Sequence, residues 1–263
     1  PEGLPSSFSV MDSLHSPQNV KEKLMESLRS PQTPLFKDHT PIRIMNRIYN
    51  IRSNPEITAI ITGLGAAGTN SHVPIDEIKI ACDKTPNYQW MIFIHEAIEA
   101  IDRMNQTVSR IISEEDTTRT ANLISAMLIQ NPSIIQAVRT CRKDLKRRKS
   151  PNAPLFQEET YINIAHLKYR ILPYSMATTM LDFAECSSAS HPGTGEILIH
   201  PERPRLSQLR GLLWGILADI RSEFRLSYEY SAIPWLTNGL ALLLLDNPNL
   251  DNIIQIAAGD PSL

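Results

Sequence analysis

Apolar residues along this chain recur mainly at intervals of three and four, and proline marks where the runs begin. Six dipeptides, Ser16-Pro17, Thr40-Pro41, Asn54-Pro55, Thr85-Pro86, Asn131-Pro132 and Asn247-Pro248, join a capping side chain to a proline. A Ser, Thr or Asn at the N-cap accepts from an unpaired first-turn amide, and proline has no amide to leave unpaired. Apolar residues at helical spacing follow each pair, which predicts a helix start at each. After Thr85-Pro86 the series Trp90, Ile94, Ala97, Ile101, Met104, Val108 and Ile111 predicts a long central helix. Ser113 with Glu114, Glu115 and Asp116 places acids where the next helix dipole favours them. Further helices are expected near 158–171, 174–185, 204–226, 233–246 and 248–258.

Together these runs predict an all-α protein with two helical lobes, at most a short β-hairpin near 194–200, and a Pro/Ser-rich arm. The expected boundaries are an extended arm over 1–40 with one short helix, an N-terminal lobe over 41–148, a linker over 149–157 and a C-terminal lobe over 158–263. Residues 1–42 hold six prolines and seven serines around one short amphipathic run. That run cannot bury itself alone, so Val20, Leu24, Leu28, Leu35 and Phe36 are candidates to dock the arm on its own domain or on a second copy.

Composition adds little to this picture. In 263 residues, 42% are hydrophobic, 21% are charged and the formal net charge is −2, which excludes a uniformly basic chain. Three separated cysteines suggest neither a disulfide framework nor a four-cysteine zinc site. No run has the length of a bilayer span, and the N-terminus lacks the apolar core of a secretory signal. The expectation is an intracellular protein, cytoplasmic or nuclear, or a virion component.

Gly63-Leu-Gly65-Ala-Ala-Gly68 has glycines spaced like a dinucleotide-binding loop, which must follow a strand and open a helix. Here Asn54-Pro55 starts a helix just upstream, and Pro74 would interrupt the one required downstream. The glycines read instead as a helix end and turn.

His95, Glu99 and Asp102 share one helical face at a spacing that suits a metal, although the second histidine of an HExxH motif is missing. The alternative is a solvated face on which Glu99 pairs with Arg103. Cys186, His191, Glu196 and His200 cluster around a loop without matching a closed zinc pattern. On these grounds no catalytic residue, metal ligand or cofactor is assigned.

The strongest local charge signal is the run 139–149, with seven basic residues and one acid. Arg139, Arg142, Lys143, Lys146, Arg147, Arg148 and Lys149 suit a helix C-terminus and would release counterions on phosphate contact. Lys168, Arg170, Arg203 and Arg205 could extend the patch. The expected function is therefore a non-enzymatic, self-assembling nucleic-acid-binding protein of nucleocapsid or coat type. It would bind RNA or another nucleic acid through the backbone, and itself through the arm. An all-α adaptor for a protein partner is the alternative, and a helical metal-dependent enzyme using His95 is a third reading.

Overall fold

The computed structural model describes residues 34–71, 76–105, 112–148, 151, 153–156, 160–172, 188–191 and 195–259. Among the described residues eight strands form two four-stranded mixed sheets, so the fold is α/β and the all-α expectation is corrected. The first sheet contains β1 (Thr40–Ile44), β2 (Arg47–Arg52), β3 (Gly68–Ser71) and β4 (Glu77–Ile80) in the order β1-β2-β4-β3. The second contains β5 (Thr160–Ile164), β6 (Leu167–Leu172), β7 (Ser188–His191) and β8 (Glu196–Ile199) in the matching order β5-β6-β8-β7. In both sheets the first two strands form an antiparallel hairpin, the second and fourth run parallel, and the third pairs antiparallel to the fourth.

The reason is a period of two inside the apolar runs. Ile42, Ile44, Tyr49 and Ile51 face the core of the first sheet while Arg43 and Ile48 face outward. Ile162, Ile164, Tyr169 and Ile171 repeat the pattern where a helix was expected near 158–171. Thr40-Pro41 opens a strand rather than a helix. Pro41 sits on edge strand β1, where a missing amide hydrogen is tolerated. Near 194–200 the chain forms β8, an inner strand rather than half of an isolated hairpin.

The two sheets belong to an internal repeat. Pro34-Leu35-Phe36 recurs as Pro154-Leu155-Phe156, and Asn131-Pro132 as Asn247-Pro248. Each half continues into helices: α1 (Pro55–Gly63), α2 (Pro86–Asn105), α3 (Glu114–Gln130) and α4 (Pro132–Lys146) in the first. The second holds α5 (Arg205–Glu223), α6 (Ile233–Asp246) and α7 (Leu250–Ala257). Buried Gln89 on α2 accepts from the Leu35 amide at 2.9 Å, and buried Gln208 on α5 does the same for Leu155. Leu35 and Phe36 are thereby held in the core of their own chain, with Phe36 5.0 Å from the Phe93 ring. The remaining arm candidates, Val20, Leu24 and Leu28, lie outside the described residues, as does the expected helix near 174–185.

The halves interlock. Asn131, between α3 and α4, receives the Asn163 amide at 2.7 Å and donates to the Asn163 carbonyl at 2.8 Å, on the outer side of edge strand β5. Asn247, between α6 and α7, makes the same pair of bonds to Arg43 of edge strand β1, at 2.8 and 2.7 Å. Each half therefore supplies the amide that satisfies the other half's sheet edge. This explains why the side chain of Asn131 caps no helix, despite the Asn-Pro signal. α6 also crosses α2 closely, since a Cβ on Gly239 would come within 2.6 Å of Ile101. One continuous apolar core results. Among the described residues no helix is long and apolar enough to cross a membrane.

Asn131→Ala and Asn247→Ala each strip partners from a part-buried strand amide and carbonyl. Each is expected to cost about 2–4 kcal/mol in urea unfolding, at about 1–3 kcal/mol per orphaned group partly relieved by water. A loss below about 0.5 kcal/mol for both would show that the edge bonds do not hold the halves together.

Candidate functional site

Helix α2 carries His95, Glu96 and Glu99 on the side facing β3 and the start of α3. Position i+4 brings Glu99 one turn along from His95, and Glu96, three residues before Glu99, flanks it on the same side of the helix. The chain then turns back, and Ser113 caps α3 by accepting from the Asp116 amide at 3.1 Å. That cap fixes the first turn of α3, so Glu114 arrives beside α2. His95 Nε2 lies 3.2 Å from Glu114 Oε1, and one ligand atom from each of His95, Glu99 and Glu114 falls within 4.8 Å of the others.

A second layer of contacts orients this cluster. His95 Nδ1 lies 3.3 Å from the Thr118 hydroxyl, one turn along α3 from Glu114, which leaves Nε2 directed at the carboxylates. Asn70 of β3 donates from Nδ2 to Glu96 at 2.8 Å and to Glu99 at 2.9 Å. Arg103 donates to Glu99 at 2.9 Å and to the Asn70 side-chain oxygen at 2.6 Å. The strand must come very near α2 for this, and Gly68 permits it. A Cβ there would overlap Ile92 and reach 2.8 Å from a Glu96 oxygen.

Burial, and then the neighbouring charge of Glu99, push the Glu96 carboxyl up to about 8, against the opposing hydrogen bond from Asn70. A cavity of about 330 Å³ opens over the cluster, walled by Gly65 to Gly68, Tyr88, Met91 and Ile92 and reaching His95, Glu96 and Glu114. Gly65 adopts φ 75° just past the end of α1, so the glycine-rich stretch ends a helix and shapes this wall.

Asp102 is buried a further turn along α2 and is not part of the cluster; Glu114 takes the third place beside His95 and Glu99. Sequence spacing along one helix could not show this, because Glu114 is brought in by the α2–α3 turn. Its visible signal was the Ser113 cap with an acid directly after it. Of the loop cluster, Cys186 lies outside the described residues, Glu196 pairs with Arg170 at 2.6 Å, and His200 accepts from the Glu202 amide.

The basic candidates do not form one surface. Arg142 is buried, with both Nη atoms on Asp251 at 2.8 and 2.9 Å and further bonds to the Leu244 carbonyl. Arg139 reaches the same aspartate at 2.8 Å, and Arg205 reaches Asp144 at 3.2 Å. Arg170 is held by Glu196, and Lys168 lies 4.2 Å over the Tyr161 ring. Arg203 is half-buried, its amide bonded to the His200 carbonyl. Lys143, Lys146, Arg147 and Arg148 are exposed, and Lys149 lies outside the described residues.

The raised Glu96 carboxyl makes the folded chain hold a proton that the unfolded chain releases near its ordinary value of 4.5. Stability is therefore expected to fall as pH rises from about 4.5 to about 8, and Glu96→Gln should flatten that slope. Urea unfolding across this range checks it, and parallel profiles for the two proteins would refute it. Comparison with protein-family models, with curated proteins and with solved structures finds no match, so the cluster is interpreted from its own geometry.

Proposed function

We propose that this protein is a metal-dependent hydrolase whose centre is built from His95, Glu99 and Glu114, with Glu96 as the proton-transferring base. The observation that carries the reading is the convergence of one imidazole and two carboxylates within 4.8 Å at the base of a cavity, with Glu96 beside them. This donor set suits a borderline divalent ion such as zinc or iron better than a purely oxygen-loving one. Thr118 and Asn70 hold a ligand histidine and a ligand carboxylate from behind, the arrangement that orients metal ligands generally.

The ion would supply a Lewis acid that polarises a carbonyl and acidifies a water. Glu96 sits at the position that the base occupies in a helical His-Glu-x-x-His site. Its raised affinity for protons fits taking one from the attacking water and returning it to the leaving group. β3 supports a peptide substrate: it stands at the edge of its sheet, and its first residue, Gly68, lines the cavity. An extended polypeptide could add to that edge and present a carbonyl to the centre.

Protein purified without chelator is expected to carry about one divalent transition metal per chain by elemental analysis. His95→Ala and Glu99→Gln should lose the ion. Glu96→Gln should keep it while peptide-hydrolysing activity falls by at least about 10²-fold. Metal-free wild type that takes up no zinc or manganese would refute the centre. Full activity in Glu96→Gln would refute the base.

A second reading rests on the four exposed cations Lys143, Lys146, Arg147 and Arg148 at the end of α4, which favour contact with a polyanion. If it holds, reversing these four charges should abolish salt-dependent binding of labelled RNA or DNA in anisotropy measurements. Salt-independent signal, or none for wild type, would dismiss it. Arg142 is left intact in this test because it is buried, and removing it would leave Asp251 to Arg139 and take donors from the Leu244 carbonyl.

A further inference from the structure

The second half of the chain holds a cavity at the place where the first half holds its acidic cluster. Counting from the paired glutamines, Gln89 on α2 and Gln208 on α5, the positions of His95, Glu96 and Glu99 are occupied by Trp214, Gly215 and Ala218. Counting back from Asn131 and Asn247, the position of Glu114 is occupied by Tyr230. The substitutions correspond in space as well: where His95 meets Glu114, the Trp214 ring meets Tyr230 edge-on at 5.7 Å. Metal chemistry is thus absent from these positions, yet the cavity is retained and enlarged to about 470 Å³.

Its wall carries one cation and one unsatisfied hydroxyl. Arg210 has its Nε buried with no hydrogen-bond partner among the described residues. Among the described residues Arg210 has no ion pair, whereas Arg170 pairs with Glu196 and Arg205, whose Nε is likewise without a partner, reaches Asp144 through Nη1. Thr237 is 5% exposed, lines the same cavity, and its Oγ1 also lacks a partner there. A buried polar atom without a partner destabilises a fold, and two residues that carry such atoms line one cavity, which points to a ligand there. Trp214, Gly211 and Pro234 give the wall an apolar side, and Ser188, Ser207 and Asn238 complete it.

We propose that this second cavity binds a small organic carboxylate with an aromatic or aliphatic body. The carboxylate pairs with the planar guanidinium of Arg210 and accepts from Thr237, and the body lies along Trp214. A single guanidinium in a cavity whose other lining residues are uncharged suits a monocarboxylate better than a multiply charged phosphate. The volume lies in the range of small-molecule sites. This site is independent of the hydrolase reading, because none of its residues belongs to the His95 cluster.

The test is calorimetric titration of the full chain with benzoate, 4-phenylbutyrate and octanoate, and with 4-phenylbutyramide as the neutral control. At least one carboxylate is expected to bind with a dissociation constant of about 1 mM or tighter. Arg210→Met should weaken that carboxylate at least about tenfold and leave the amide unchanged. Asn238→Trp, which fills the cavity from its rim and leaves Arg210 in place, should abolish binding of both, so the outcome does not depend on one variant folding. His95→Ala should bind as wild type does. Failure of all three carboxylates to bind, or equal carboxylate affinity in wild type and Arg210→Met, would overturn the proposal.

Discussion

Two asparagine side chains, each bonded to a strand of the opposite half, set the architecture on which the sites depend. An edge strand presents amide and carbonyl groups that must find partners or water. Here Asn131 fills that place for β5 and Asn247 for β1, so neither half completes its own sheet. The exchange draws α6 against α2 and buries α2 over most of its length. A buried α2 is what gives His95, Glu96 and Glu99 a low-dielectric surrounding, and through it the raised proton affinity of Glu96.

Duplication with interlocking leaves two equivalent cavities, and the chain has used them differently. One keeps an imidazole and carboxylates held from behind by Asn70, Thr118 and Arg103. The other replaces every one of those donors by an apolar or aromatic residue and places a guanidinium on the wall instead. Because the shared backbone is fixed by the same glutamine and asparagine devices in both halves, the side chains can diverge without disturbing the frame. The reactive centre proposed for one half and the selective pocket proposed for the other would be direct outcomes of that freedom.

The sequence made the helices easier to read than the strands, for physical reasons. Long three-four spacings locate α2, and the Ser113 and Asn54 caps hold as expected, each accepting from an amide of its helix. The strands are four to six residues long and carry isoleucine, whose appearance at 42 and 44 or 162 and 164 satisfies neither period decisively in so short a run. Thr40-Pro41 imitates a cap because an edge strand tolerates proline as well as a first helical turn does. The recurrence of Pro-Leu-Phe and of Asn-Pro was present in the chain, and aligning the two halves would have shown the doubled alternation. The candidate centre was half legible: His95 and Glu99 follow from helical spacing, but Glu114 required the turn between α2 and α3. The basic run was legible only as charge, since counting cannot reveal that Asp251, over a hundred residues away, already occupies Arg139 and Arg142.

The account turns on whether His95, Glu99 and Glu114 hold one ion between them. Anomalous diffraction at the zinc edge, from crystals of protein incubated with zinc, tests this most directly. The account predicts a single strong peak about 2.0–2.2 Å from His95 Nε2 and from a carboxylate oxygen of both glutamates. A map with no peak there, with His95 still paired directly to Glu114, would contradict it.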